Sequence, residues 1–214
     1  MFTGLIEKTG ILKTLDKVRG GTSLTIEHDP WTSPLQPGES VAVNGVCFTV
    51  TGLSDRTFSC DALDETLART TLGSKKAGSR LNMERALKLG DYVGGHFVSG
   101  HVDGTARVLA ARNVGRDLVL RFECGEDLIE GMVLKGSIAC DGVSLTISAL
   151  TGLYFEVNVI PFTWAHTSLV SLAEGDMVNV ETDMLGKYVR RSILGKGRVH
   201  ELDFDCLRNA GFVD

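Results

Sequence analysis

The feature that most constrains the fold is an internal duplication. A shift of 97 residues aligns residues 40–49 with residues 137–146, and five of these ten positions are identical. The same shift aligns residues 63–84 with residues 160–181. Matches in the same order over several segments are improbable by chance, and solenoid repeats are shorter and more numerous. The sequence therefore predicts two similar domains.

The two domains are expected to span residues 1–96 and 97–184, followed by a tail at residues 185–214. The joint at residues 90–95 contains three glycines and has the composition of a short hinge. With 43% apolar residues over 214 positions, the chain can bury a core in each domain. Disulfides or a structural metal are therefore not needed for folding.

Each repeat has the pattern of a β domain. Asn44-Gly45 and Asp141-Gly142 are turn dipeptides between alternating segments, which is a strong hairpin signal. About six short strands in some 90 residues suit a small closed barrel, because closure removes exposed strand edges. The predicted fold is all-β, with two tandem six-stranded barrels. Residues 66–72 and 163–169 are expected to form short helical turns between strands.

The tail has a helical pattern outside the duplication. Leu185, Tyr188, Val189, Ser192 and Ile193 recur at the spacing of one helix face. This predicts an amphipathic helix. Its apolar face either packs on its own barrel or mediates self-association.

Charge and cysteine content exclude several classes of protein. The net charge of −5 argues against nucleic acid as a main partner. No apolar stretch approaches the length of a membrane helix, and the N-terminus does not resemble a signal peptide. The cysteines are odd in number and widely spaced, at Cys47, Cys60, Cys124, Cys140 and Cys206. This pattern indicates reduced thiols in the cytoplasm and no zinc site.

Several motifs stand out within and between the repeats. They lie at residues 1–6, 40–51, 65–67, 94–102, 135–136, 141–146 and 180–188. The segment between the repeats, with the pattern G-G-H-x-x-S-G-H, is the most specific of them. Together these motifs resemble the riboflavin synthase family of the alpha-chain type, over about residues 1–195. The resemblance implies two Greek-key barrels joined by a short linker, with a C-terminal helix.

The resemblance also implies an activity and partners. Two molecules of 6,7-dimethyl-8-ribityllumazine would exchange a four-carbon unit, giving riboflavin and 5-amino-6-(D-ribitylamino)uracil. No metal or redox cofactor is expected. The family forms a homotrimer whose active sites lie between the N-terminal barrel of one subunit and the C-terminal barrel of its neighbour. The resemblance also indicates lumazine synthase as a further partner.

The second repeat departs from the family pattern at two positions. Phe162 stands where the family more often has glutamate or histidine, and Val170 stands where it more often has glycine. The substitution at position 162 affects an expected ligand contact rather than the fold.

The two repeats differ where the chemistry would occur. Cys47 aligns with Ser144, and Leu5 aligns with His101 after a one-residue adjustment. Glu65 likewise aligns with Phe162, and Arg69 with His166. A donor and an acceptor need unlike surroundings, because one molecule loses four carbons and the other gains them. We therefore expect two half-sites with distinct roles.

His101 is the first candidate for acid–base chemistry, with Thr146 as a hydroxyl that relays the proton. The alternative is a histidine that only bonds the linker backbone. His96 lies five residues earlier, so in an extended segment the two side chains point to opposite faces. One metal would not bind both, and His96 is interpreted as structural.

Cys47 is the candidate nucleophile or proton shuttle, unless it only packs against the ligand. Ser144, at the matching position, is expected to bind the pteridine or activate water. Ser40 is expected to line the site. Asp183 either joins a network with Ser144 or caps the final helix.

By resemblance, two groups of residues bind the substrate. The first half-site is expected to contain Gly4, Leu5, Ile6, Cys47, Phe48, Thr49, Asp61, Ala62, Leu63, Asp64, Glu65 and Thr66. The second is expected to contain Gly100, His101, Val102, Lys135, Ser144, Leu145, Thr146, Asn158, Val159, Ile160, Pro161, Phe162 and Thr163. Backbone amides would contact the uracil edge, and Thr, Glu and Lys side chains the ribityl hydroxyls.

Three other functions share this kind of barrel. A non-catalytic lumazine- or flavin-binding protein would keep only one competent half-site, whereas both repeats here retain their motifs. A reductase flavin domain would be accompanied by a dinucleotide-binding G-x-G-x-x-G motif, which does not follow. An oligonucleotide-binding barrel is disfavoured by the negative charge.

Overall fold

The structure is a computed structural model, and it describes residues 1–195 and Arg208. Twelve strands form two barrels. The strands of the first are β1 Lys8–Val18, β2 Gly21–His28, β3 Ser40–Val43, β4 Val46–Leu53, β5 Thr57–Ala62 and β6 Arg80–Arg85. Those of the second are β7 Gly104–Val114, β8 Asp117–Glu123, β9 Ser137–Cys140, β10 Val143–Leu150, β11 Tyr154–Val159 and β12 Met177–Thr182.

Both sheets close with the same antiparallel strand order. The first barrel runs β1-β2-β5-β4-β3-β6, and the second repeats this as β7-β8-β11-β10-β9-β12. The prediction of two tandem six-stranded barrels is therefore confirmed. Each barrel surrounds its own core of buried side chains, with Phe58 and Phe122 among the largest fully buried residues. Burial of one such side chain is worth about 1.5–3 kcal/mol.

The first strand of each barrel, β1 or β7, does not keep a regular alternation of buried and exposed residues along its length. The pairing register of β1 shifts between Leu12 and Thr14, and that of β7 shifts between Val108 and Ala110. Such irregularities break the alternation of inward and outward residues. The second half of each strand is also mostly exposed, so it has no apolar pattern to read.

The two predicted hairpin turns pack against each other. Asn44 and Asp141 have φ values of +46° and +45°, and the glycine after each is also in the left-handed region. A β-carbon on Gly45 would lie 2.8 Å from the backbone nitrogen of Gly142, and the reverse substitution meets the same obstacle. Glycine is therefore required at both turns by close contact as well as by φ.

A polar network ties these turns to the neighbouring strands. Asn82 donates from its side chain to the carbonyl of Asp141, and Asn179 donates likewise to that of Asn44. The side-chain oxygens of Asn82 and Asn179 accept from the backbone amides of Ser168 and Thr71. The two barrels are thus joined by the same bonds in duplicate, related by a local twofold symmetry.

A small apolar cluster completes this contact. Phe2 forms an antiparallel bridge with Val98, and both pack with Ala42 and Ala139. The segment that follows the joint is therefore pinned to the N-terminal segment. The joint itself is exposed along its length, and Tyr92 is 95% exposed.

Four helices are present in the part of the chain that the structure describes. They are α1 Asp64–Arg69, α2 Glu126–Ile129, α3 Pro161–His166 and α4 Met184–Gly195. The expected helical turns correspond to α1 and α3, each followed by a 3-10 turn. None of the described helices is long and apolar enough to cross a membrane. Of the tail, residues 196–207, which include Cys206, and residues 209–214 lie outside the described part.

Candidate active site

The segments before β1 and before β7 cross between the barrels. The carbonyl of Gly4 accepts a 2.8 Å hydrogen bond from the amide of Ser144, and that of Gly100 accepts a 2.9 Å bond from Cys47. Ile6 packs on the core of the second barrel, and Val102 on that of the first.

This crossing corrects the grouping made from the sequence. Gly4, Leu5 and Ile6 were assigned to the first half-site, and Gly100, His101 and Val102 to the second. Each trio instead lies at the other barrel, because the Phe2–Val98 bridge carries both segments across the interface. Each half-site therefore contains one segment supplied by the other half of the chain.

The half-site of the second barrel is a cavity of about 300 Å³. Most of its lining was expected from the sequence, and Leu5, Gly94 and Gly95 are added by the crossed segment and the joint. The lining residues are Leu5, Gly94, Gly95, Ser137, Ser144, Leu145, Thr146, Asn158, Ile160 and Thr163. Gly95 approaches so closely that a β-carbon there would lie 2.1 Å from the carbonyl of Thr3. The cavity wall thus depends on a bare backbone at this position.

His96 lies directly beside this half-site. Its Nδ1 is 2.7 Å from the Ser144 hydroxyl, and its side chain is buried. Burial lowers the pKa of His96, and the negative charge of Asp183 opposes this effect in part. A neutral imidazole is therefore favoured, which can accept the Ser144 proton or donate to its oxygen.

The structure supports one of the two sequence interpretations of Asp183. Its Oδ1 accepts from the amide of Leu185 at 2.9 Å, so it caps α4. The described hydrogen bond of the Ser144 hydroxyl is with His96 and not with Asp183. Asp183 therefore influences this pair only through its charge, which partly offsets the lowering of the His96 pKa by burial.

His101 is exposed and lies in a different cavity, of about 370 Å³. The other lining residues are Arg69, Ser99, Val102, Asp103, Met184, Lys187 and Tyr188. No residue lines both this cavity and that of Ser144. Thr146, the expected relay partner, belongs to the Ser144 cavity, so a single chain does not bring His101 and Thr146 together.

Lys187 and Tyr188 were not expected near a site, yet the first turns of α4 reach the His101 cavity. Asp103 holds this arrangement by accepting from Thr182 and pairing with the Lys187 ammonium at 2.7 Å. The helix is therefore attached to the edge of the His101 cavity, which none of the residues expected in the first half-site lines.

Cys47 differs from the other described cysteines in its position. It is half-buried beside Gly100, whereas Cys60 is in the core of the first barrel. Burial raises the pKa of Cys60 to about 12 and that of Cys124 to about 11, so both remain thiols. Burial likewise raises the pKa of Cys140. Cys47 is the described thiol that adjoins a half-site.

The remaining predicted residues occupy matching places in the two barrels. Ser40 pairs with Thr49 across β3 and β4, as Ser137 pairs with Thr146 in the second barrel. Residues 61–66 and 158–163 run from the last residues of β5 and β11 into α1 and α3. Phe162 is 69% exposed and stacks on His166 with ring centroids 4.1 Å apart. The departure from the family pattern therefore adds an aromatic surface beside the second half-site.

Lys135 is exposed with φ +67°, in the left-handed region that costs a non-glycine residue about 1 kcal/mol. The matching residue of the first repeat is Gly38, whose φ is +88°. The second repeat therefore carries a lysine where the fold itself favours glycine. Lys135 is not among the residues that line the Ser144 cavity, although Ser137, two positions later, is.

The described residues contain no group of three His, Cys, Asp or Glu side chains that could hold a metal ion. His96 is bonded to the Ser144 hydroxyl, whereas His101 lines a different cavity. These side chains can transfer protons and make hydrogen bonds at two unlike pockets.

The duplicated barrels match a known family. The profile of the lumazine binding domain matches residues 3–86 and again residues 99–183. The chain therefore belongs to the class of proteins built from two lumazine binding domains.

The curated relatives narrow this class. Riboflavin synthase of Bacillus amyloliquefaciens is 43% identical over 191 residues, which is 89% of each chain. Riboflavin synthase of Actinobacillus pleuropneumoniae is 38% identical over 215 residues, covering 99% of this chain and all of that one. The protein is a member of the riboflavin synthase family.

Solved structures show the same fold with ligands bound. LumP in complex with riboflavin has a TM-score of 0.76 and 26% identity, and LumP in complex with 6,7-dimethyl-8-(1'-D-ribityl) lumazine has 0.74 and 25%. Each comparison covers 85% of this chain and 99% of LumP.

Proposed function

We propose that this protein catalyses the riboflavin synthase reaction. Two molecules of 6,7-dimethyl-8-ribityllumazine exchange a four-carbon unit, and the products are riboflavin and 5-amino-6-(D-ribitylamino)uracil. The observation that carries the proposal is the pair of half-sites, which share one framework but differ in their reactive side chains. At the first, Cys47 contacts Gly100, the residue before His101, and the second has Ser144 with Leu5.

The reaction needs a base and a close alignment of two planar rings. The 7-methyl protons of the substrate are acidic because the anion delocalises into the ring. Alignment of the two molecules is worth about 7–11 kcal/mol, since it replaces an encounter in solution with a reaction inside one site. Two barrels of the same shape supply two binding surfaces of the same shape.

His101 and Cys47 are proposed to act on the molecule bound at the first barrel. An exposed imidazole in a cavity can take and return the methyl proton. The Cys47 thiol lies beside Gly100, next in sequence to His101, and is placed to donate or to shuttle a proton.

Ser144, supported by His96, is proposed to act on the molecule at the second barrel. When the neutral imidazole accepts the Ser144 proton, the Ser144 oxygen becomes a stronger base towards a water molecule and a stronger nucleophile towards a ring position. Thr146 in the same cavity offers a second hydroxyl. Ser40 and Ser137, paired with Thr49 and Thr146 at the two barrels, are proposed as polar lining.

Lys135, Glu65 and Thr66 are proposed to bind the ribityl chains. The support for Lys135 is its backbone: a lysine kept in a conformation that favours glycine needs a compensating role. Its ammonium group is proposed to bind ribityl hydroxyl groups at the edge of the second half-site.

The active site is proposed to form between two copies of the chain. In one copy the two cavities have no lining residue in common, so two bound molecules would not meet. Helix α4 exposes Leu185, Val189 and Ile193, each by more than half. Its polar side is instead tied to the second barrel, where Arg190 pairs with Glu130. Self-association through the exposed face is therefore favoured over packing on its own barrel.

We propose that three copies associate, which is the number that the family resemblance implies. The protein is proposed to work in the cytoplasm, since the four cysteines of the described part are free thiols. Association with lumazine synthase stays a prediction, as does the division of the chain at residues 96 and 184.

A non-catalytic lumazine- or flavin-binding protein is the second candidate, favoured by the likeness to LumP. Against it, the curated relatives with the higher identities are riboflavin synthases. The presence of reactive side chains at both half-sites also favours the enzyme.

The test is to incubate the purified protein with 6,7-dimethyl-8-ribityllumazine and follow both products by chromatography. The enzyme gives one riboflavin for every two lumazine molecules consumed, with an equal amount of the diaminouracil. His101→Gln serves as the matched variant and should lower kcat more than ligand affinity. Binding of lumazine without consumption would support the second candidate.

A further inference from the structure

Glu181 is a buried carboxylate that holds the segment carrying His101. Its Oε1 accepts from the backbone amide of Ser99 at 2.6 Å and from the Ser99 hydroxyl at 2.7 Å. Its Oε2 accepts from the amide of Gly100 at 3.0 Å. The Ser99 hydroxyl oxygen then accepts from the amide of His101 at 3.2 Å. Three successive backbone amides thus depend on one carboxylate, two directly and one through Ser99.

The bonded segment continues across the barrel interface. The carbonyl of Gly100 accepts from the amide of Cys47. Glu181 on the second barrel therefore fixes where His101 lies relative to Cys47 on the first.

Glu84 makes the same set of bonds in the first barrel. It accepts from the amide and hydroxyl of Thr3 at 2.6 Å each and from the amide of Gly4 at 2.9 Å. The Thr3 hydroxyl accepts from the amide of Leu5. The two carboxylates are thus equivalent supports, but one positions an imidazole and the other an aliphatic side chain.

We propose that Glu181 is a positioning residue for catalysis, which sets His101 against Cys47 through Ser99 and Gly100. This inference rests on the proposed function, because it assigns His101 a role in the reaction. Both oxygens of Glu181 accept from backbone amides, whereas glutamine has one acceptor oxygen and one donor NH2 group. In Glu181→Gln this NH2 group would face a backbone N–H, and two donors repel each other. The segment then shifts, and a displacement of about 1 Å is enough to cost about 100-fold in rate.

The equivalence of the supports provides the control. Glu181→Gln and Glu84→Gln remove the same bonds, so a purely structural role predicts similar losses of stability and of activity. A positioning role predicts that Glu181→Gln lowers kcat by about 100-fold with KM changed by less than about threefold. It also predicts that this loss of kcat disappears in a His101→Gln background. Adding Glu181→Gln to that variant should lower kcat by less than about threefold. The effects of Glu84→Gln and His101→Gln on kcat should instead be independent, so that in the double variant they multiply.

A milder pair of variants keeps the test usable if Glu181→Gln does not fold. Ser99→Ala removes only the hydroxyl that relays Glu181 to His101, and should lower kcat about tenfold. Ser99→Thr should recover most of this loss, because Thr3 makes the equivalent bonds in the first repeat. Equal kcat values for the alanine and threonine variants would overturn the inference.

A measurement without turnover separates this inference from the proposed function. In two-dimensional NMR spectra of the ligand-free protein, Ser99→Ala should shift the amide signals of Gly100 and His101, while Thr3→Ala leaves them in place. If wild-type protein makes no riboflavin, the proposed function fails while this readout remains. If Glu181→Gln and His101→Gln act independently on kcat in an active enzyme, the positioning role of Glu181 is refuted.

Discussion

Asp141 and Asn44 occupy equivalent positions at the contact between the barrels, yet only one of them can ionise. Each accepts a hydrogen bond from the backbone amide of the equivalent strand residue, Asn179 or Asn82. Asp141 is almost completely buried. Burial raises its pKa to about 6, against the opposing effects of the Asn179 bond and the charge of Lys75.

The substitution Asp141→Asn should therefore remove a pH-dependent cost. A folded-state pKa above the unfolded value means that the folded protein binds the proton more tightly. The cost is absent below about pH 4, develops as the pH rises to about 6, and is complete above it. A rise of the pKa from the usual 3.8 to about 6 corresponds to a full cost of about 3 kcal/mol, since a tenfold change in proton affinity is worth about 1.4 kcal/mol.

An amide at this position brings a smaller, constant cost. The side-chain nitrogen of Asn44 has no hydrogen-bond partner, and the same nitrogen in Asp141→Asn would share that cost of about 1 kcal/mol. We expect the variant to be about 2 kcal/mol more stable than wild type at pH 8 and about 1 kcal/mol less stable at pH 4.

The assay is urea unfolding of both proteins at several pH values between 4 and 8, followed by tryptophan fluorescence. The tested quantity is the change with pH of the difference in unfolding free energy between the two proteins, because effects that do not depend on pH cancel. Asn44→Asp is the matched control: it adds a second buried carboxylate and should destabilise the protein increasingly as the pH rises. A stability difference that does not vary with pH would refute the reasoning.

Three further predictions concern the proposed site and assembly. Cys47→Ser should reduce turnover without abolishing it; complete loss of rate with intact ligand binding, by stopped-flow and titration, would instead indicate an obligatory covalent role. Lys135→Gly should raise unfolding stability by about 1 kcal/mol, since it relieves a left-handed backbone, and should weaken lumazine binding by calorimetry; tighter or equal binding would exclude Lys135 from the site. Val189→Glu on the exposed face of α4 should give folded monomers by sedimentation that no longer turn over efficiently; a persistent oligomer would show that the barrels hold the assembly. Truncation after Met184 is a less selective test, because it also removes Lys187 and Tyr188 from the His101 cavity.

The duplication and the turn dipeptides were sufficient to predict the barrels. Asn44-Gly45 and Asp141-Gly142 mark the hairpins because few residue pairs adopt two successive positive φ values. The strands β1 and β7 have no clear sequence pattern for two reasons. A bulge interrupts the side-chain alternation of each, as it also does in β4 and β10. In addition, the second half of each is mostly exposed, so it lacks an alternation of buried apolar residues.

The sequence predicted which residues belong to the site more successfully than it predicted how they are arranged. Most of the Ser144 cavity consists of expected residues, but the crossed segments were assigned to the wrong barrels. Sequence alignment of the repeats shows that Leu5 matches His101, and it cannot show which barrel either one faces. The duplication also retains Glu84 and Glu181, whose role in holding these segments appears only once their hydrogen bonds are known.

The central claim is that catalysis requires the unlike half-sites of two different copies, and complementation between inactive variants tests it most directly. His101→Gln damages the first half-site, and Ser144→Ala damages the second. When the two variants are mixed, dissociated and reassembled, some assemblies join an intact first half-site from one copy to an intact second half-site from another. We predict that riboflavin formation returns on mixing, although each variant alone is impaired. If the mixture is no more active than the average of its components, the claim that each active site is shared between copies is contradicted.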